Sequence, residues 1–368
     1  MSGKRILFVG LHRLGRSPSQ RFRFEQYLEF LQQNGFACDL SYLLTAEEDQ
    51  LFYAPGNYTT KARILLKMHA IRRRDVKRVK RGEFDAVYVQ REAFSTGTTR
   101  YEKAFAASGT PLIYDFDDAI WLPNISPGNK ALAFLKRPEK TFDLIRYATR
   151  VFAGNDYLAD TARAYNSNVV VVPSTVDMQA YQPVPVTKPE GVVTIGWMGS
   201  STTIPHFQVA EGALARIKAA YGPRVAIHVV GSGTYANPAL GVDRVIPWSA
   251  ATEVESLCKF DIGIMPLPNE EWTKGKCGMK GLQYMALGIP TIMAPVGVNT
   301  TIIQPGQNGL LAQTEDDWVN ALTQLIESPN LRKRLGDAGQ ETVRLHYSVE
   351  AWKAVYLKHF QELTAQNS

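Results

Sequence analysis

Residues 274–299 read KGKCGMKGLQYMALGIPTIMAPVGVN, and how this run is parsed decides the fold. Lys274, Lys276 and Lys280 fall within seven residues of a Gly-containing loop, a density that core packing does not require. Leu282, Met285 and Ala286 then recur at helical spacing, and Gly288 supplies a stop. PTIMAP (290–295) is a short apolar run of the kind covered on both faces in a parallel sheet. Loop, helix and strand in this order make one winding of an α/β fold. The helix should begin near Gly278, so its free amides and the side chains of Lys276 and Lys280 would converge on one anion. Gln283 follows Lys280 by one turn, within reach of a ribose or sugar hydroxyl.

Outward from this stretch the same alternation fills the chain. Strand-like runs are expected at 5–10, 37–43, 86–90, 111–116, 150–154 and 169–173. A second set falls at 193–199, 225–231, 242–248, 261–267, 290–295 and 308–312. Between the sets lies VPSTVDMQAYQPVPVTKPEG, with prolines at 173, 183, 185 and 189, which reads as an interdomain linker. With 368 residues, two doubly wound units follow: 1–180 and 190–346. Residues 347–368 form a last helix, with Val349, Trp352, Tyr356 and Phe360 on one face, expected to return to the first domain. Ligands of such folds sit beyond the carboxyl ends of the strands, so a cleft between the two units is expected.

Composition limits the alternatives. The chain is 45% hydrophobic and 21% charged, as in a soluble globular protein, with no apolar run long enough to span a bilayer. MSGKRILFVG enters a strand directly without a signal-peptide pattern, and three scattered cysteines (Cys38, Cys258, Cys277) argue against a disulfide framework or structural zinc. A cytoplasmic location is expected. The net charge of +6 is concentrated: residues 61–81 hold ten Lys or Arg against one Asp, with Ile64, Leu65, Met68 and Ile71 at helical spacing. Such a helix could lie peripherally on an anionic membrane, grip acceptor phosphates, or simply be a solvated face. Nucleic acid is not expected, because no recognition motif accompanies the patch.

Three further stretches carry candidate chemistry. After the first strand, GLHRLGRSPSQ places Arg13, Gly15 and Arg16 in a loop. Ser17 is expected as helix N-cap, Pro18 at N1 and Gln20 at N3 of a capping box, in a helix running to about Asn34 with Gly35 as its stop. Arg21 and Arg23 fall in its first turns, so the region suits a phosphate or carboxylate, or is a plain tight turn. In the second half, VTIGWMG leads into Ser200-Ser201-Thr202-Thr203, small residues that let a diphosphate approach beyond Gly199, or a capping loop with no ligand. In LIYDFDDAIWL (112–122), Asp115 and Asp117 have the spacing of an Asp-x-Asp metal site, against a simpler strand end with solvated acids.

The pattern K-x-L-x-Y-M-A-x-G-x-P (280–290), PVG (295–297) and G-x-N-G-L-L-A (306–312) resembles the C-terminal half of glycosyltransferase family 4, of the GT-B fold. SQRFRFEQYLEFLQQNG (19–35), PSTVD (173–177) and GWMGSSTT (196–203) are similar to its first helix, the segment ahead of its linker and the opening of its donor domain. The resemblance implies two Rossmann-like domains and retaining, metal-independent transfer from a nucleotide-diphosphate sugar to a glycan, lipid-linked or small-molecule acceptor. No cofactor or metal is expected. The donor would meet Gly199, Ser200, Ser201, Lys276, Cys277, Gly278, Met279 and Lys280, with Gln283 at the ribose and Trp248 near the base. Arg13, Gly15, Arg21 and Arg23 would face the acceptor.

Two departures stand out. The family carries two glutamates eight positions apart, where this chain has Gly275 and Gln283. Glu270 or Glu271 could replace the first. The family often places a His where this chain has Asp117, with Asp118 beside it. These two are the candidate catalytic carboxylates, placed to accept from a sugar hydroxyl or to stabilise charge at the anomeric carbon. Asp115 would point to the other strand face. Two other readings share the architecture: a sugar-nucleotide epimerase or hydrolase, and a non-catalytic nucleotide-sugar-binding partner of a transferase.

Overall fold

The apolar runs of the first half become strands β1 (Lys4–Val9), β2 (Phe36–Ser41), β3 (Ala86–Gln90), β4 (Leu112–Phe116), β5 (Arg150–Ala153) and β6 (Val169–Val171). Those of the second half become β7 (Val193–Gly199), β8 (Val225–Gly231), β9 (Arg244–Pro247), β10 (Ile262–Met265), β11 (Thr291–Met293) and β12 (Leu310–Leu311). The structure, a computed structural model, describes residues 3–54, 56–123, 137–231, 235, 237 and 240–365. The chain divides into two units, Met1–Ser174 with Lys353–Ser368, and Thr175–Trp352. Each contains one six-stranded sheet, in the order β2-β1-β3-β4-β5-β6 and β12-β11-β10-β7-β8-β9. Pairing is parallel throughout, for example Ile6 beside Cys38 and Ala86, and Ile195 beside Ile227 and Ile262. Parallel strands need covering on both faces, which is why the central strands β1, β3, β4, β7 and β10 are largely apolar and buried.

In the first unit the connections are α1 (Pro18–Arg21), α2 (Leu28–Gln33), α3 (Ala46–Tyr53), α4 (Tyr58–Lys80), α5 (Arg100–Ala106), α6 (Lys140–Tyr147) and α7 (Asp156–Arg163). In the second they are α8 (Ile204–Gln208), α9 (Glu211–Tyr221), α10 (Glu253–Cys258), α11 (Glu271–Lys274), α12 (Met279–Ala286), α13 (Asn299–Ile302), α14 (Glu315–Glu327) and α15 (Pro329–His346). The last helix, α16 (Val349–Ala365), carries the chain back to the first unit, where Tyr356 stacks on Tyr27 at 4.3 Å and Phe360 meets Phe8 at 5.9 Å. Positions 366–368 of the expected helix lie outside the described residues.

The helix expected from Ser17 to Asn34 is broken. It stops at Arg21, a 3-10 turn follows at Glu25–Tyr27, and α2 ends at Gln33, ahead of a left-handed Gly35 at φ +88°. Arg23 lies at the break and turns inward. It is 2% exposed, and its guanidinium grips Asp115, itself 0% exposed, from Nε at 3.1 Å to both carboxylate oxygens and again from Nη2. Nη1 donates to the carbonyl of Val172, beyond the end of β6. Burial pushes the Asp115 pKa up, and the Arg23 charge opposes it. Asp115 thus points away from solvent as its strand parity requires, and Arg23 is a core residue rather than part of an acceptor surface.

Helix α4 corrects a second expectation. Its apolar stripe is already covered: Ile64, Met68 and Val79 are buried within the first unit. Arg72, one of the ten basic residues, is buried too, donating to the carbonyls of Gly10 and Ala93 at 2.7 and 2.6 Å and pairing with Asp75 at 3.0 Å. One guanidinium thereby ties the end of β1 to the loop after β3. Exposed on the other side are Arg63, Lys67, Arg73, Arg74, Lys77, Lys80 and Arg81, with Leu66 and Tyr58 at 71% and 80% exposure.

Removing one member of the buried Arg23–Asp115 pair leaves an uncompensated charge, so Arg23→Ala should destabilise the first unit by about 3–5 kcal/mol. The double variant Arg23→Met/Asp115→Leu should recover most of that loss. Thermal melts of the three proteins decide it: a single variant melting like the parent would contradict the pair's structural role.

Candidate functional site

In the second unit the strand order reverses between β7 and β10, and doubly wound sheets bind ligands outside the carboxyl ends of the strands at such a switch. Beyond β7 the chain turns through the exposed Ser200 and Ser201 into a 3-10 turn at Ser201–Thr203 and then α8. Gly199 ends the strand under the Trp197 ring, and a Cβ there would fall 2.4 Å from the indole. Beyond β10 comes α11, then the lysine-rich loop, then α12. Gly278 is left-handed at φ +69° and opens α12, where a Cβ would lie 2.3 Å from the Ile302 side chain. Tyr284, one face further along α12, accepts from the Met198 amide at 2.8 Å and so pins the helix to the end of β7.

These anchors bring most of the expected donor residues together. Lys280 Nζ lies 5.6 Å from the centre of the Trp197 ring, and Lys276 Nζ lies 5.0 Å from that of Trp272. Cys277 and Gly278 are buried, and Met279, Lys276 and Lys280 are half-buried at the helix start. His206 on α8, which the sequence reading passed over, belongs to the same cluster. Burial first, then the Lys280 and Lys276 cations, bring its pKa down to about 4. Two cations, a helix start and a hydroxyl-rich turn at a switch point are the elements that anion sites are commonly built from.

Gln283 lies in a buried hydrogen-bond network. It is 3% exposed, and its Nε2 donates to Tyr181 Oη at 2.6 Å and Glu253 Oε1 at 3.3 Å. Tyr181 also donates to Glu253 Oε1, and the Trp248 indole N–H donates to Glu253 Oε2. The amide nitrogen is spent in this buried network because Glu253, first residue of α10, supplies a carboxylate that needs donors. Of the two acids considered for the role of the first family glutamate, Glu270 caps α11 and Glu271 pairs with Lys274 at 2.5 Å. The available signal for Glu253 was an acid five residues beyond Trp248 at a helix start. Trp248 remains half-buried, with its ring edge held by that acid.

In the first unit the order reverses between β1 and β3. The loop after β1 is closed by Gln20, whose side chain accepts from the His12 amide at 3.0 Å and donates to the His12 carbonyl at 2.8 Å. The expected capping box is therefore absent: Ser17 occupies the N-cap position without a side-chain cap, and its hydroxyl meets that of Ser19 at 2.9 Å. Arg13 and Arg16 both engage Asp49 on α3, at 3.2 and 2.5 Å. Burial works against the Asp49 charge, but Arg16 and Arg13 outweigh it and its pKa is lowered. Gly15, left-handed at φ +74°, donates its amide to Glu25 at 2.8 Å, and Arg21 lies 5.0 Å from the centre of the Phe22 ring.

Asp117 and Asp118 leave the end of β4 and meet Arg91, which follows β3. Arg91 Nε donates to Asp117 Oδ1 at 2.7 Å and Nη2 to Asp118 Oδ2 at 3.2 Å. Arg91 is held at φ +59°, with its amide on the Asp115 carbonyl at 2.7 Å. The Asp115 and Asp117 side chains thus answer to different arginines, so their Asp-x-Asp spacing does not converge on one point. Among the described residues no group of three or more His, Cys, Asp or Glu is arranged to hold a metal ion.

Residues 191–328 match the family described as "Glycosyl transferases group 1". Over 207 residues the chain is 29% identical to a D-inositol 3-phosphate glycosyltransferase of Stackebrandtia nassauensis, covering 49% of this chain and 46% of that one. It therefore spans less than half the length of that curated relative. A glycosyltransferase from Rickettsia africae superposes with a TM-score of 0.71 at 13% identity, covering the whole of both chains. Anabaena Alr3699/HepE, solved in complex with UDP and glucose, superposes with a TM-score of 0.66 at 15% identity over 98% of this chain and 100% of that one. Fold and family match point the same way: the chain has the two-domain GT-B fold of these structures, and its residues 191–328 are similar to the group 1 glycosyl transferases.

Proposed function

We propose that the chain is a metal-independent, retaining glycosyltransferase that takes its sugar from a nucleoside-diphosphate donor. The observation that carries this reading is the convergence of Lys276, Lys280, the start of α12 and the Ser200–Thr203 turn at the switch point of the second sheet. A diphosphate is the ligand such a site suits, because two ammonium groups and the backbone amides of a helix start can take up its charge without a divalent ion. The half-buried Trp248, held by Glu253, offers a platform for the base. UDP is the favoured nucleotide on the likeness to a protein solved with UDP and glucose.

In the reaction the bond between the anomeric carbon and the diphosphate breaks, and an acceptor hydroxyl oxygen bonds to the same carbon. The hydroxyl proton passes to the leaving phosphate oxygen, so no protein base is required. Lys276 and Lys280 stabilise the negative charge that accumulates on the leaving group. Asp117, oriented by Arg91, lies at a strand end in the first unit and stabilises positive charge developing on the sugar, with Asp118 as the second carboxylate of the clamp. Arg13 and Arg21 offer charge to an anionic acceptor, a class consistent with a relative that acts on an inositol phosphate. The exposed basic face of α4 supports a peripheral, electrostatic approach to anionic lipid, since its apolar stripe is spent on the core. Among the described residues no helix is long and apolar enough to cross a membrane.

Lys280→Ala should lower kcat/KM by about 100- to 1,000-fold and weaken nucleotide binding, while wild-type turnover persists in EDTA. A Lys280→Ala enzyme with parental kinetics, or strict manganese dependence, would overturn the donor-site assignment or its metal independence respectively. Asp117→Asn should reduce kcat by about 100-fold with little change in nucleotide affinity, since it acts on the sugar rather than the diphosphate. Equal losses in both would remove Asp117 from the catalytic step. On vesicles containing about 30% phosphatidylserine, reversing Arg73, Arg74 and Lys77 to Glu should weaken association at least 100-fold at low salt, at roughly 1 kcal/mol per charge. Indifference of the parent protein to such vesicles would end the membrane proposal.

A further inference from the structure

One buried group at the second-unit switch point is left without an evident task. His206 is nine-tenths buried on α8, and its Nδ1 has no hydrogen-bond partner. Buried polar atoms are ordinarily satisfied, and an unpaired one costs about 1–3 kcal/mol. Its surroundings make the position stranger. Phe207, the next residue, packs on the Trp197 ring at 5.2 Å, and Lys280 Nζ sits 5.6 Å from the centre of the same ring. Thus α8 and the start of α12 share one indole, and the imidazole lies in the field of Lys276 and Lys280. The 3-10 turn ahead of it, Ser201–Thr203, carries hydroxyls. On α9 the acid Glu211 is already engaged by the Tyr235 hydroxyl. An imidazole beside two cations, with burial and charge both opposing its protonation, waits for an anion.

We propose that His206 is a direct ligand of the donor diphosphate and that it takes up a proton as the nucleotide-sugar binds. This rests on the donor-site reading above. A proton from solvent adds to the imidazole, and the resulting N–H donates to a phosphate oxygen; on release of the nucleotide the proton returns to solvent. The sign follows from the electrostatics. In the free protein the His206 pKa is lowered to about 4, so the ring is neutral near pH 6. The diphosphate offsets the two lysines and raises that pKa. Binding is then accompanied by proton uptake in the interval between the two values. Affinity rises as pH falls through it, by up to about tenfold per pH unit for one full proton.

The test uses the full chain with UDP-glucose and GDP-mannose as probes, because their diphosphate diesters do not titrate near neutrality as a terminal phosphate does. Calorimetry at about pH 6 in buffers of different ionisation enthalpy gives the protons taken up per nucleotide-sugar bound. The wild type should take up a substantial fraction of one proton and bind several-fold more tightly at pH 6 than at pH 7.5. His206→Gln should still bind, more weakly, with that uptake lost and the pH dependence flattened. Wild-type binding with no net proton uptake overturns the proposal without recourse to any variant, and so does undiminished uptake in a folded His206→Gln protein. Failure of the wild type to bind either probe overturns the donor-site reading itself and this inference with it.

Discussion

A carboxylate buried in the first sheet constrains much of what surrounds it. Asp115 is fully buried in the first sheet, and the Arg23 guanidinium is the principal group that makes its charge tolerable. Satisfying it forces the chain after β1 to abandon a continuous helix, turn Arg23 inward, and reach as far as the Val172 carbonyl. Three separate segments are thereby fixed relative to one another: the turn after α1, the end of β4 and the exit from β6. The Asp115 backbone carbonyl meanwhile accepts from Arg91, which sets the clamp on Asp117 and Asp118. The position of the candidate carboxylates is thus inherited from an ion pair that never meets a substrate.

The second unit solves the same positioning problem with packing rather than charge. Its helix α12 must approach the sheet closely if Lys276 and Lys280 are to stand at the strand ends. That approach is made by removing side chains: a Cβ at Gly281 would fall 1.8 Å from Met293, and one at Gly263 would fall 2.5 Å from the Tyr284 ring. Tyr284 then completes the join by accepting from the Met198 amide. The lysines are held at the mouth of the sheet by a helix that is itself locked from behind.

How much of this could be read in advance depended on whether the signal was local. The parallel strands were legible, because a strand buried on both faces is mostly apolar, as in ILFV (6–9) and AVYV (86–89). The lysine loop and the helix start near Gly278 were legible for the same reason, since residue type and spacing within one turn carry the meaning. Arg23 was not. Its sequence neighbours suggest an exposed basic turn, and its partner lies 92 positions away. The hydrogen bonds of Gln283 were not legible either, because its partners Tyr181 and Glu253 lie 102 and 30 positions distant. The basic helix was half legible: its apolar period was right, but nothing in the period says whether a membrane or the protein's own core covers it.

Arg91 shows two demands meeting at one residue. Its backbone occupies the left-handed region, where a side chain costs on the order of 1 kcal/mol relative to glycine. Its guanidinium simultaneously spans both aspartates. Glycine would relax the main chain and abolish the clamp; asparagine would suit the turn and fall short of the carboxylates. The position sits on a narrow ledge in sequence space, from which single substitutions lead downward in one respect or the other. Lineages that drift toward a tighter, more stable turn would be expected to lose the acidic pair with it, so that residues 91, 117 and 118 change together or not at all.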